Sequence, residues 1–151
     1  MYIHSQTALW HIDPTGSWTR LAESPLGRLS YNSALHSLPD GRLLIYGGSR
    51  DQTLSAYSAD GDPLWQTPLD DLSGDPFIFD ADNTLLVADG SGTVAVMDAA
   101  SGAVCDRFTV WGHRGANAWA GLGSDGILRL HIADQVIGLD WAALAASCPA
   151  A

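Results

Sequence analysis

Residues Thr84 to Phe108 read TLLVADGSGTVAVMDAASGAVCDRF, three short apolar runs separated by two turn signals. Leu85, Leu86 and Val87 form the first run, and Gly90-Ser91-Gly92 supplies a turn in which positive φ costs little. Thr93 to Met97 follow, rich enough in β-branched residues to suit a half-buried pleat. Asp98 to Gly102 break that run, and Ala103 to Phe108 return as a third strand.

Weaker copies of this unit fill the rest of the chain. Strands are expected at 2–4, 7–13 and 17–21, then at 31–38, 42–46, 53–58 and 64–67. A strand at 77–79 leads into the opening stretch, and 118–122, 127–132 and 135–140 make the final set. The tail WAALAASCPAA suits a short helix, since Ala and Leu favour one and Pro149 would end it.

The copies keep register. Turn residues Gly41, Asn83 and Gly126 stand 42 and then 43 positions apart, and the strand ends at Asp13, Ser58, Asp98 and Asp140 are spaced 45, 40 and 42. Glycines 16, 61 and 102 recur in the turn after the third strand. Four short strands repeated every ~40–50 residues are the signature of β-propeller blades, whereas a β-sandwich has no reason to repeat both markers. The fold class read from this pattern is all-β: a β-propeller-like array of about four blades with incomplete end blades, at a period of about 42 residues. The whole chain, 1–151, reads as one repeat domain, with blades near 1–30, 31–70, 71–112 and 113–145 and a tail over 141–151. The strand count is three, four, four and three. Closed propellers have ~4–8 blades, so such an array closes as a small ring, pairs with a second copy of itself, or continues into further blades. A two-fold dimer of about eight blades is the expected closure.

With 46% hydrophobic and 16% charged residues among 151, the chain is a globular one. Its formal charge of −10 argues against nucleic acid and against anionic lipid as partners. No apolar stretch approaches the ~18 residues of a membrane-spanning helix. The N-terminus shows no basic segment followed by an apolar one, so no signal peptide is visible. Cys105, in an expected strand, reads as a small core residue, while Cys148 lies in the tail. A disulfide between them requires the tail to fold back, which the sequence leaves open.

The strand–turn–strand elements VAVMDAASGAVCDRF (94–108) and SAYSADGDPLW (55–65) resemble the repeats of the quinoprotein-type, or PQQ-like, β-propellers. In that motif an Ala-Leu-Asp strand end is followed by a Gly-ended turn and then a Trp. Met97, Asp98 and Gly102 match it, with Asp106 where Trp is expected; Ala56, Tyr57, Gly61 and Trp65 match it, with Ser58 in place of Asp. Ile12, Asp13, Gly16 and Trp18 echo it at a shortened spacing. The resemblance implies a periplasmic or extracellular location. WD repeats compete, through Gly112-His113, but no Trp-Asp dipeptide closes a unit.

Some members of that family are dehydrogenases that hold pyrroloquinoline quinone and calcium on the ring axis. The residues here argue against an enzyme and against any cofactor. Glu23 is the lone glutamate, the cysteines are not adjacent, and no Ser-His-Asp set or phosphate loop stands out. Asp80, Asp82, Asn83 and Asp89 lack the spacing of a calcium loop and read as turn formers. His4, His11, His36, His113 and His131 are too scattered for a zinc site. Of six tryptophans, Trp18 and Trp65 are expected to wedge between blades. Trp111, His113, Arg114 and Trp119, in and beside the loop WGHRGAN, form the candidate recognition surface. The expected function is a non-catalytic scaffold for protein–protein contact, partnered by another protein or a second copy. The alternatives are a fragment of a quinoprotein dehydrogenase and a lectin-like, carbohydrate-binding propeller.

Overall fold

The computed structural model describes residues 1–4, 8–23, 34–47, 52–72, 76–89, 91–110, 118–132 and 134–148. They form four antiparallel sheets, with three, four, four and three strands, in two compact units, Met1–Asp70 and Asp71–Ala151.

The first unit holds two sheets. One runs β1 (Tyr2–His4), β2 (Ala8–Ile12), β3 (Trp18–Glu23), and the other β4 (Ala34–Ser37), β5 (Leu43–Gly47), β6 (Thr53–Tyr57), β7 (Pro63–Pro68). Each strand pairs with its sequence neighbour, because the connecting turns are tight and local. Leu9 of β2 packs against Leu43 and Ile45 of β5 and Tyr57 of β6, with Leu21 and Leu35 at the margin. Gly61 turns at φ 91°, and a Cβ there would stand 2.6 Å from Leu21 Cβ, so only glycine fits the turn beneath this core.

The second unit repeats the plan. Strands β8 (Phe77–Ala81), β9 (Thr84–Ala88), β10 (Thr93–Asp98) and β11 (Val104–Thr109) form one sheet, and β12 (Ala118–Leu122), β13 (Ile127–Ile132) and β14 (Gln135–Asp140) the other. Leu86, Ala88 and Val94 meet Leu128, Leu130 and Ile132 in a shared core. Burying each of the leucine, valine and isoleucine side chains contributes about 1.5–3 kcal/mol. The helix α1 (Trp141–Ala145) follows β14, and the Asp140 carboxylate caps it by accepting from the Ala143 N–H. The cap turns Trp141 into the core, edge-on to Phe79 with ring centroids 5.2 Å apart.

Turn chemistry accounts for the hairpins. Asp13 accepts hydrogen bonds from Thr15 N–H, Thr15 Oγ1 and Ser17 N–H, and Asp89 accepts the same three from Ser91 and Thr93. One carboxylate thus satisfies two backbone donors in each turn. Asp82 and Asn83, at φ 49° and 60°, form the left-handed turn between β8 and β9.

Two sequence expectations change here. Cys105 is half-buried on β11 and bonded to Cys148, with Cα atoms 5.0 Å apart, so it is not a core thiol. The helix brings the tail back to β11, which is what makes that bond geometrically feasible. Trp18 is 59% exposed, so among the described residues it is not buried as a wedge between sheets. It pairs with Ile12, whereas Trp65 pairs with Ala56, one position earlier in its third strand. The two tryptophans therefore lie on opposite faces of their sheets.

Candidate interaction surface

The four sheets have distinguishable faces. Counted from the turn residues Gly41, Asn83 and Gly126, the second strands of the last three sheets align. Leu43, Leu85 and Leu128 then share one face with Ile45, Val87 and Leu130. Leu44, Leu86 and Arg129 share the other with Tyr46, Ala88 and His131. We term the first face backward and the second forward. In the third strands, Leu9, Leu54, Val94 and Val136 align on the forward side, and Trp10, Ser55, Ala95 and Ile137 on the backward side.

Both sheet-to-sheet cores obey one rule. In the first unit, forward Leu9 packs on backward Leu43, Ile45 and Tyr57. In the second unit, forward Leu86, Ala88 and Val94 pack on backward Leu128 and Leu130. The strands β5, β6 and β9 are buried at every residue, hence on both faces.

The end sheets differ. The forward face of β12–β14 carries Trp119 and Gly121 from β12, Arg129 and His131 from β13, and Val136 and Gly138 from β14. Trp119 and Val136 are 57% and 58% exposed, although Val94, at the position of Val136, is fully buried. Trp119 and His131 are cross-strand partners, and their rings stack at 3.5 Å with planes 14° apart. Beside them Arg129 donates to both carboxylate oxygens of Asp125. The Arg129 hydrogen bond, with that of the Ile127 N–H, holds Asp125 well below the usual carboxylate range, and raises Arg129 in turn. Gly121 stands where the third sheet has Phe79, and a Cβ there would meet nothing within 4 Å.

The backward face of the first sheet carries Trp10, Trp18 and Arg20. The two indoles meet edge to face, with centroids 6.2 Å apart.

Of the sequence-derived candidates, Trp119 lies on β12, on the exposed forward face. Trp111, His113 and Arg114 lie outside the described residues. His131, Val136, Trp10 and Trp18 were not among the candidates for recognition. Arg129 and His131 were detectable, since they are polar at positions where the second and third sheets have Leu, Ala or Tyr. Trp65 borders a shallow hollow of about 210 Å³ lined also by Ser55, Tyr57 and Gln66. Among the described residues, no three His, Cys, Asp or Glu side chains converge as metal ligands would, and no helix is long and apolar enough to cross a membrane.

No protein-family model matches the chain, and no curated protein matches it in sequence. Solved structures do. BamB from Moraxella catarrhalis is similar over 91% of this chain and 38% of its own, at 22% identity and a TM-score of 0.57. The C-terminal WD40 domain of Sif2 is similar over 88% of this chain and 43% of its own, at 15% identity and a TM-score of 0.52. A protein of unknown function from Bacteroides caccae is similar over 83% and 46%, at 15% identity and a TM-score of 0.53. The chain therefore spans less than half the length of these structures. WD40 domains are β-propellers, and the chain has a β-propeller-type repeat fold.

Proposed function

We propose that the chain is a non-catalytic β-propeller module that serves as a protein–protein interaction scaffold. The observation that carries this reading is the open forward face of β12–β14. Val136, Arg129 and His131 occupy positions that are core in the preceding sheet, yet Val136 and the neighbouring Trp119 face solvent. Tryptophan and arginine presented on a rigid sheet are the residue types that anchor protein interfaces. A protein face is the partner that a flat apolar sheet of this kind fits. A sugar would instead seek a cleft with converging polar groups.

The Cys105–Cys148 bond supports placing the protein in an oxidising compartment, where such bonds persist. That agrees with the periplasmic or extracellular location implied by the PQQ-like resemblance.

The test is a photoreactive amino acid placed at position 119 in the protein's own cells, with captured partners identified by mass spectrometry. A discrete protein adduct that disappears when Val136→Glu is also present supports the scaffold. No adduct at positions 119 or 136, at full expression of folded protein, overturns it.

A further inference from the structure

We propose that the hollow beside β6 and β7 is a binding site for a neutral amide group. The amide's carbonyl oxygen accepts from the Tyr57 phenol, and Ser55 donates to that phenol in turn. The site lies within the first unit and is separate from the open face of β12–β14.

A comparison of two sheets carries the argument. In the second and third sheets the pairing of the last two strands shifts by one residue at the same place. The shift falls between Ala56 and Tyr57 in one and between Val96 and Met97 in the other, with Leu64 and Cys105 as the extra residues. Beside it the third sheet buries Ala95 and Met97, whereas the second buries Ser55 and Tyr57, and all four are at most 3% exposed. The apolar pair satisfies packing at these positions. The second sheet thus carries two hydroxyls that its fold does not require, and burying a hydroxyl without a partner is destabilising.

Ser55 Oγ is in that state, closed to solvent and without a hydrogen-bond partner among the described residues. Tyr57 follows two positions on, on the same face of β6, with its ring packed against Leu9, Leu43 and Ile45. Burial raises the phenol above its ordinary value, and Ser55 offsets part of that rise. The phenol therefore stays protonated at neutral pH and is a donor. A ligand oxygen that accepts from it leaves the phenol oxygen to accept from Ser55. One acceptor thereby satisfies both hydroxyls, and hydrogen bonds in such a chain strengthen one another.

The hollow also selects the ligand's size and charge. Its volume of about 210 Å³ exceeds the ~150 Å³ cavity that takes benzene and falls short of the ~300 Å³ at which drug-sized sites begin, so it admits one small group. Ser55, Tyr57, Pro63, Leu64, Trp65 and Gln66 line it, and none of them is charged, so a carboxylate finds no counterion there. Gln66 is the cross-strand partner of Ser55 and shares its face. Its carboxamide offers an acceptor for an N–H, and the phenol a donor for a C=O, which are the two groups an amide presents. Pro63 and Leu64 supply an apolar wall for the carbons that bear it. A protein's carboxamide side chain and a small free amide share this chemistry.

The experiment is a titration of the full, isotope-labelled 151-residue chain with acetamide, followed by backbone amide chemical shifts. The expected result is a saturable shift in the millimolar range, confined to residues 55–57 and 63–66, that acetate and methyl glucoside do not reproduce. Tyr57→Phe keeps the ring's packing and is expected to weaken binding about tenfold; Ser55→Ala is expected to weaken it about threefold. Ser55→Ala puts the third sheet's residue at the second sheet's position, so its urea midpoint is expected to be unchanged or higher. It serves alone should Tyr57→Phe fold poorly. A capped Ala-Gln-Ala peptide separates the two sources. Tighter binding than acetamide assigns the site to a protein side chain, and equal or weaker binding assigns it to a small amide; both support the proposal. The absence of a saturable shift overturns it, as does a shift matched by acetate or methyl glucoside, or undiminished affinity in the folded variants. A loss of stability in Ser55→Ala also overturns it, since the hydroxyl would then be satisfied within the fold.

Discussion

Cys105 on β11 and Cys148 beyond α1 are joined by a disulfide, so the tail of the chain is bound to the sheet that precedes the last one. Their separation of 43 residues is close to one repeat. Closing a loop of that length removes entropy from the unfolded chain worth about 4 kcal/mol on the chain-entropy view. Reducing the bond, or replacing both cysteines by serine, is expected to lower stability by about 2–4 kcal/mol. Urea titration of oxidised and reduced protein measures this. An unchanged midpoint would show that the tail adds nothing to the second unit.

Trp141 buries its ring against Phe79, while its indole N–H has no hydrogen-bond partner among the described residues. Trp141→Ala is expected to cost about 3–5 kcal/mol, as for other large core truncations. Trp141→Phe keeps most of the apolar surface and removes an unsatisfied donor, so its cost is expected to be at most about 1.5 kcal/mol. Thermal melts of the two variants separate packing from polarity. Equal losses would mean that the N–H is satisfied in solution.

Asp13 and Asp89 make the same three hydrogen bonds in surroundings that differ in exposure. Asp89 is fully buried, whereas the turn residues after Asp13 are exposed. Asp89→Ala leaves donors stranded away from water and is expected to cost about 1–3 kcal/mol. At the Asp13 turn, water replaces the lost acceptor, and Asp13→Ala is expected to cost less than half as much. Chemical denaturation of both variants at pH 7 tests the ranking.

Asp125 has a folded-state pKa below its unfolded value, chiefly through Arg129. Its contribution is therefore fully present above the unfolded carboxylate pKa of 3.8 and is lost as pH falls toward the folded value. Both side chains are solvent-exposed, so the effect is small and salt-sensitive. Asp125→Asn is expected to lower stability slightly at pH 7 and to converge with the wild type at about pH 2, so that its acid limb is flatter. Denaturation between pH 2 and 7 reads this. A variant as acid-sensitive as the wild type would show that the ion pair is not maintained in solution.

Much of the fold was legible because its determinants are local. The three–four–four–three strand count follows from period-2 runs and from turn residues such as Gly61, Asp82 and Asn83, whose conformations are set within four or five positions. The disulfide was not legible, because it depends on where α1 directs the tail. Trp18 was misplaced for a related reason. In sequence it sits a few residues after a turn glycine, as Trp65 does. A one-residue difference in pairing register reverses the face, and the repeat pattern does not record it. The open surface was hidden differently. Val136 looks like Leu9 and Val94 because it occupies their position, and a valine does not reveal whether anything covers it.

The disulfide has a mechanical consequence. Tension applied to the chain beyond Cys148 passes through the sulfur bridge into β11 and bypasses residues 106–147. While the bond is intact the last sheet is slack, carrying no load when the C-terminal end is pulled. Reduction places α1 and that sheet in series with the force. The bridge thus sets whether the last sheet bears load.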